Sequence, residues 1–223
     1  MSTQAVTVVA SGPGIGRRFS GTATDGAYTA INTTTGSAEF GFALQGHVIN
    51  RIDMNYAAGS GVAVIRNRVT NTIDRVSFGS LSANTSNTGT MIQPLLVTMN
   101  HTLEVYTLAA GTTVLAFVHL KGAPPELFDA TIANNNTGEL VSASNDSSLG
   151  TYFGQTLDAV QIQGSDGKIV QYGIVFNGDG GEIWAAQGGE RLANQLGNVN
   201  LVMGPNMNVP ITRGMTLKAT MQA

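Results

Sequence analysis

Three histidines are the residues of this chain best suited to acid–base or metal chemistry: His47, His101 and His119. His101 and His119 lie on two strand-like segments that we expect to pair, which would bring their rings close together. A catalytic zinc site usually takes three protein ligands, often with His-x-His or His-Glu-x-x-His spacing, and neither spacing occurs in the sequence. We therefore expect hydrogen-bonded structural histidines and assign no metal or general base.

A glycine-rich segment, Ser11-Gly12-Pro13-Gly14-Ile15-Gly16, superficially resembles a phosphate-binding loop. A dinucleotide loop lies between a strand and a long helix, but the residues after Gly16 show no helical period. A P-loop also needs a Gly-Lys-Ser/Thr sequence, which is absent. The segment is predicted to be a turn or a flexible arm after the first strand, and no cofactor is expected.

Acidic residues could supply the carboxylate pair of a glycoside hydrolase or the oxygen ligands of calcium. Asp158, Asp179 and Glu182 are candidates, with Asn177 as a further oxygen donor, but their spacing does not match an EF-hand and turns are rich in such residues anyway. The single Trp, Trp184, is the candidate sugar platform. Because the sequence has no Cys, thiolate chemistry is excluded. No catalytic, cofactor or metal residue is assigned, and the chain is predicted not to be an enzyme.

Alternation of apolar and polar residues indicates that these candidates lie on strands and turns. The segment Thr113 to Leu120 is apolar on both faces, as in a central strand. Three other segments carry apolar or weakly polar residues at alternate positions: Val48, Ile52, Met54 and Tyr56; Leu103, Val105 and Thr107; and Val209, Ile211, Met215, Leu217, Ala219 and Met221. The last series predicts a docked C-terminal strand.

Turn and helix signals complete the element assignment. Hairpin connections are predicted at Ala109–Thr112, at Gly164–Gly167 and at Asn177–Gly181. Two short helices are predicted, Glu126–Ala133 after two prolines and Glu190–Leu196 before Gly197.

The fold class that follows is all-β: an antiparallel β-sandwich of jelly-roll type with at most one or two short helices. The 223 residues are assigned to one domain, 1–223, with residues 1–20 as a candidate extended N-terminal arm.

The composition is unusual in its small number of charged residues. Charged residues make up 11% of the chain, against roughly 25% in an ordinary globular domain. The net charge is −3 and no run of Lys or Arg is present, so no specific nucleic-acid partner is expected. The N-terminus has no secretory pattern, and the longest apolar run, Val114–Val118, is too short to span a bilayer. A surface of Thr, Asn and Gly suits a protein that neighbouring subunits cover.

The low charge, the abundance of Thr, Asn, Gly and Ala, and the strand that runs almost to the C-terminus resemble icosahedral virus and bacteriophage structural proteins. These include single jelly-roll capsid proteins and β-rich cement or decoration proteins. The chain departs from RNA-virus coat proteins because it lacks a basic N-terminal arm, which favours a DNA-containing particle or an outer position. The resemblance carries over no functional residue. It implies a virion protein, made in the host cytoplasm, whose partners are copies of itself, as a trimer or other symmetric oligomer, and other capsid proteins.

Two other functions remain open. A carbohydrate- or receptor-binding sandwich, such as a lectin-like, tail or fibre domain, would need exposed aromatics around Tyr152, Phe153 and Trp184. A β-sandwich or β-helical hydrolase would need a carboxylate pair in a cleft.

Overall fold

The computed structural model describes residues 1–33, 39–57, 60–78, 80–81, 91–108, 113–164, 169–178, 181–188, 200–203 and 206–221. The structure is all-β with predominantly antiparallel pairing, as the sequence predicts. The chain divides into two compact units, Met1–Ala109 and Ala110–Ala223. The assignment of residues 1–223 to one domain stays a prediction. Among the described helices, none is long and apolar enough to cross a membrane.

The first unit is a sandwich of two sheets. Its strands are β1 (Thr3–Gly12), β2 (Ile15–Thr24), β3 (Thr29–Ala30), β4 (Asn32–Thr33), β5 (Val48–Tyr56), β6 (Ser60–Asn67), β7 (Thr72–Phe78), β8 (Ser80–Leu81), β9 (Met91–Leu96) and β10 (His101–Leu108), and its helix is α1 (Phe40–Leu44). One sheet has the order β4-β2-β1-β5, with β8 and β9 both on β5, and the other has the order β3-β10-β6-β7. The side chains between the two sheets form one apolar core, to which α1 contributes Phe40 and Leu44.

Residues 1–20 form β1 and part of β2, although an arm was considered for them. β1 pairs with β2 on one side and β5 on the other, and Val6, Val8 and Ala10 are buried in the core. Pro13 and Gly14 make the hairpin turn, in which Gly14 has φ +71°. Proline followed by a residue with positive φ is the signature of a type II turn.

At the start of strand β5, the buried and exposed positions differ from the predicted alternation. Ile52, Met54 and Tyr56 are buried as predicted, but Val48 is 42% exposed and Ile49 is buried instead. The register between β5 and β9 shifts between Ile49 and Arg51. Such an irregularity exchanges the two faces of a strand, so it turns Val48 outward.

The second unit is built on one nine-stranded sheet. Its strands are β11 (Thr113–Leu120), β12 (Glu126–Thr131), β13 (Thr137–Ser142), β14 (Thr156–Gly164), β15 (Ile169–Gly178), β16 (Gly181–Gly188), β17 (Asn200–Met203), β18 (Val209–Pro210) and β19 (Met215–Met221), and a 3₁₀ helix covers Leu149–Tyr152. The order is β16-β15-β19-β13-β12-β11-β14-β17, with β18 on β14. The end strands β16 and β17 contact each other, so the sheet curls round its own core.

The C-terminal strand is docked, as predicted. β19 lies between β15 and β13, and Leu217, Ala219 and Met221 are buried in the core of the second unit. The predicted series from Val209 is interrupted, because a turn at Arg213 separates β18 from β19.

The helix predicted over 126–133 is wrong, because residues Glu126–Thr131 form β12. Leu127 and Phe128 are adjacent and both buried, which suits a strand covered on two faces. β12 pairs with β11 and β13, and this pairing outweighs the local signal of the preceding prolines. The helix predicted over 190–196 lies outside the described residues.

Two of the three predicted hairpins are also wrong. β10 and β11 do not pair with each other: β10 joins β3 and β6, while β11 joins β12 and β14. β14 and β15 also do not pair with each other, since β15 lies between β16 and β19. The turn residues 109–112 and 165–168 lie outside the described residues. The hairpin of β15 and β16 is confirmed, with Asn177 opposite Glu182 and Gly178 opposite Gly181.

Candidate interaction surface

The strands that carry His101 and His119 do not pair with each other, although the sequence predicted that they would. His101 lies on β10 in the first unit, and His119 lies on β11 in the second, on strands of different sheets. His47 is exposed between α1 and β5. Within the described ranges, no group of three or more His, Cys, Asp or Glu side chains could hold a metal ion.

His101 is 4% exposed and both of its ring nitrogens are hydrogen-bonded. The backbone N–H of Thr98 donates to Nδ1 at 3.0 Å, so Nδ1 carries no proton. Nε2 then holds the proton and donates it to Asp74 Oδ2 at 3.1 Å. The Thr98 hydroxyl also lies 3.3 Å from Nδ1, but that nitrogen already accepts the backbone N–H, so it is poorly placed to activate the hydroxyl. The arrangement is structural: it holds the segment after β9 against β7.

His119 is half-buried, and its Nε2 lies 3.0 Å from Gln161 Oε1. Burial lowers the pKa of His119 below its usual 6.5, while the bond to Gln161 and the charge of Asp158 offset only part of this effect. Because a carbonyl oxygen can only accept, Nε2 carries the proton in the neutral ring. Gln161 therefore fixes the tautomer of a neutral histidine.

Among the side chains that the structure describes, the remaining sequence candidates do not assemble into a site. The glycine-rich segment is the β1–β2 hairpin, so it lacks the helix that a phosphate loop requires. Asp158 lies on β14 and Glu182 on β16, whereas Asp179 is outside the described residues. Trp184 lies on β16 opposite Val175, and its side chain is not among those described.

A binding module would need exposed aromatics here. Phe153 is 52% exposed, while Tyr152 is half-buried against Phe128 with ring centroids 6.0 Å apart. The guanidinium carbon of Arg213 lies 4.3 Å from the centroid of the Phe153 ring. One face of this ring is therefore occupied, which leaves little room for a sugar to stack on that face.

A polar cluster that sequence reasoning missed lies beside Tyr152. The hydroxyl of Ser142, which is fully buried, donates to Glu126 Oε1 at 2.7 Å, and the Ser144 hydroxyl donates to the same oxygen at 2.6 Å. Burial raises the pKa of Tyr152, with a further contribution from the Glu126 charge. The hydroxyls satisfy the carboxylate, so the cluster ties β12 to β13 and the following loop.

Most of the exposed large apolar side chains in the described part of the chain belong to the first unit. Seven large apolar residues are exposed in the described part of the chain, and Met1 and Phe153 are two of them. The other five define the surface that we call the apolar surface: Phe42 (62% exposed), Val48 (42%), Val69 (73%), Leu96 (57%) and Met99 (48%).

Backbone contacts bring the segments that carry these five residues close to one another. Val48 and Leu96 are direct partners in the β5–β9 pairing. A Cβ built on Gly41 would lie 2.7 Å from the carbonyl oxygen of Met99, so α1, which carries Phe42, is in close contact with the 98–101 backbone. The backbone N–H of Arg68 donates to the carbonyl of Asn100 at 2.8 Å, which places the turn that carries Val69 beside the same segment.

The charged residues at the edge of the apolar surface neutralise each other. Arg68 Nη2 forms an ion pair with Glu39 Oε2, which lies just before α1. Covering five side chains of this size, each roughly half exposed, would supply about 4–7 kcal/mol at roughly 1.5–3 kcal/mol for each full burial. Exposed apolar side chains on neighbouring segments of a charge-poor protein favour contact with another molecule.

Comparison of the chain with protein families, with curated proteins and with solved structures finds no match.

The apolar surface was not predicted, because Phe42, Val69 and the pair Leu96 and Met99 belong to three separate segments with no shared period. The only sequence signal was general: a composition with few charges, which suggested covered faces.

Proposed function

We propose that the chain is a virion structural protein, a capsid shell subunit or a cement protein, that assembles through neutral polar and apolar β surfaces. The apolar surface on the first unit is the observation that carries this proposal. Burying this surface against another molecule is favourable, because in a monomer these apolar side chains stay in contact with water.

Composition supports the same function. With 11% charged residues, the chain has little of the mixed charge that keeps a free monomer soluble. The relevant partners are copies of the chain and other capsid proteins, and the place of action is the virion after synthesis in the host cytoplasm. That the strands follow the jelly-roll topology of known shell proteins stays a prediction.

Negative-stain imaging of the purified protein tests this function. Rings, shells or uniform oligomers are the expected result, because the apolar surface favours association at micromolar concentration. A field of single small particles at every concentration would contradict it.

A receptor- or carbohydrate-binding module is the alternative, and the exposure of Phe153 favours it. A glycan array distinguishes the two functions. Binding that disappears in both Phe153→Ala and Trp184→Ala would favour the binding module, and an array without signal favours the structural protein.

A further inference from the structure

We infer that His119 is an acid-sensitive joint between β11 and β14: when its ring becomes charged, the pairing of the two strands opens at the register shift beside it. This device goes beyond the proposed assembly function and does not depend on it. Three features of the second unit support it: the irregular strand pairing at His119, the covered face on which the ring lies, and the hydrogen bonds of the two ring nitrogens.

The pairing of β11 with β14 is irregular at His119. His119 lies opposite Ala159, but the next residue, Leu120, lies opposite Leu157, so Asp158 is an extra residue in β14. A bulge of this kind disrupts the hydrogen-bond ladder between two strands. Because strands open locally where few hydrogen bonds hold them, the bulge is where we expect β11 and β14 to separate first.

The ring of His119 lies on the face of β11 that points away from the core of the second unit. Alternate side chains of β11 pack into that core, namely Val114, Ala116, Val118 and Leu120. Leu115 and Phe117 lie between them on the other face, and both are also fully buried. His119 continues this second apolar row and is half-buried at its end. A charge on the ring would therefore enter a covered, apolar environment, where it is less stable than in water.

Only one of the two ring nitrogens has a hydrogen-bond partner among the described residues. Nε2 donates to Gln161 Oε1 at 3.0 Å, and no described group bonds to Nδ1. The neutral ring uses this one bond for its one N–H, whereas the charged ring carries a second N–H on Nδ1. In the paired strands this second donor has no acceptor, but water satisfies it once the strands open.

The direction of the pH effect follows from the surroundings of the ring. Burial lowers the pKa of His119, and the Gln161 bond and the Asp158 charge offset only part of this effect. The opened strands, in which the ring has its ordinary pKa of about 6.5, therefore take up the proton first. As the pH falls below about 6.5, protonation favours opening, and the effect levels off below the lower pKa of the paired strands.

The other charged groups near β11 have partners of their own or lie further along the sheet. Lys121, just after β11, donates from Nζ to a side-chain amide oxygen at 3.3 Å. Glu126 of β12 accepts the two serine hydroxyls described above. Asp129 of the same strand lies opposite Leu115, four residues before His119. The extra residue of β14 therefore supplies the carboxylate that acts on the ring.

Hydrogen exchange of the full chain at about pH 7.5 and about pH 5 tests the inference. Protection factors are compared, because the intrinsic exchange rate itself changes with pH. The amides of residues 119–121 and 157–161 report on the joint, and those of residues 217–221 in β19 report on global unfolding. His119→Gln is the test variant, since its amide can still donate to Gln161 but cannot take up a proton. His47→Gln is the matched control, because His47 is exposed.

From the higher to the lower pH, we expect protection at the joint to fall at least about threefold in the wild type and in His47→Gln. A pKa of about 6.5 in the opened strands sets an upper limit of about thirtyfold. The joint in His119→Gln and the β19 amides of the wild type should change by less than about twofold. Unchanged protection at the joint of the wild type, or an equal fall in His119→Gln or in β19, would overturn the inference.

A second pair of variants tests the charge that moderates the joint. Asp158→Asn should move the opening transition to lower pH, because it removes the charge that favours the protonated ring. Asp146→Asn is the control, since Asp146 is exposed in a loop and should leave the transition where it is. A transition that moves to higher pH in Asp158→Asn, or moves equally in both variants, would contradict the joint as described.

Discussion

His101 of β10 donates from Nε2 to Asp74 Oδ2 of β7 across 3.1 Å, two strands away in the same sheet. The same ring accepts the backbone N–H of Thr98, so one buried side chain connects the 97–100 segment to the sheet edge. Because this segment carries Met99, the histidine positions part of the apolar surface.

Replacing His101 by Ala should destabilise the protein by about 2–4 kcal/mol. The change opens a cavity and leaves the Thr98 N–H and the Asp74 carboxylate without this partner. Urea unfolding measures the loss. His47→Ala is the control, because His47 is exposed and should change stability by less than about 0.5 kcal/mol. Equal free energies of unfolding for the two variants would show that the buried histidine does not stabilise the fold.

Gly41→Ala should also destabilise the first unit, by about 2 kcal/mol or more. Its new Cβ would lie 2.7 Å from the carbonyl oxygens of Met99 and His101, and backbone atoms cannot move aside cheaply. Gly16→Ala is the control, since nothing lies within 4 Å of its Cβ position. Thermal melts compare the two variants, and a Gly41→Ala protein as stable as Gly16→Ala would contradict the close contact between α1 and the 98–101 backbone.

Asp25 should make stability depend on acid pH. Burial tends to raise the pKa of this carboxyl, but hydrogen bonds from Ser2, Gln4 and Thr107, with the charge of the N-terminus, outweigh burial and lower it. The folded chain therefore releases this proton more readily than the unfolded chain, whose value is roughly 3.9. The stabilisation is full above about pH 4 and is lost as the pH falls through the lower, folded value.

Urea unfolding of wild type and Asp25→Asn tests this dependence. The difference between them should be below about 1 kcal/mol at pH 7, because solvent screens the site, and should shrink below about pH 4. A difference that stays constant from pH 7 to pH 2 would assign the effect to something other than the carboxylate charge.

His119 should produce a separate loss of stability at mildly acidic pH. Since burial lowers its pKa in the folded state, the unfolded chain takes up the proton first as the pH falls below about 6.5. Stability should decrease from there down to the folded pKa and then level off. His119→Gln should remove this slope, and an NMR titration of the wild type should place the His119 midpoint below 6.5. Parallel stability curves for the two proteins would refute the assignment.

The sequence predicted strands well where alternation is strong. Leu217, Ala219 and Met221 of β19, and Leu103 and Val105 of β10, have the predicted burial. Pairing was predicted poorly, because neighbours along the chain were expected to form hairpins. In the structure β10 and β11 belong to different units, and β19 lies between β15 and β13. Long-range pairing of this kind leaves no local signal.

The candidate site was harder to predict than the fold. Val48 was expected to be buried with Ile52, and the register shift at Ile49 reverses its face. Leu96 and Phe42 are large apolar residues, yet the structure leaves both exposed. Whether a side chain is exposed depends on tertiary contacts. The low charge content could therefore indicate that other molecules cover part of the surface, but not which residues form that part.

Multi-angle light scattering of the purified chain tests the central claim most directly. An assembly protein should give a molar mass that is a multiple of 23.1 kDa and rises with concentration towards a closed oligomer. A constant 23.1 kDa at concentrations from micromolar to millimolar would contradict the account.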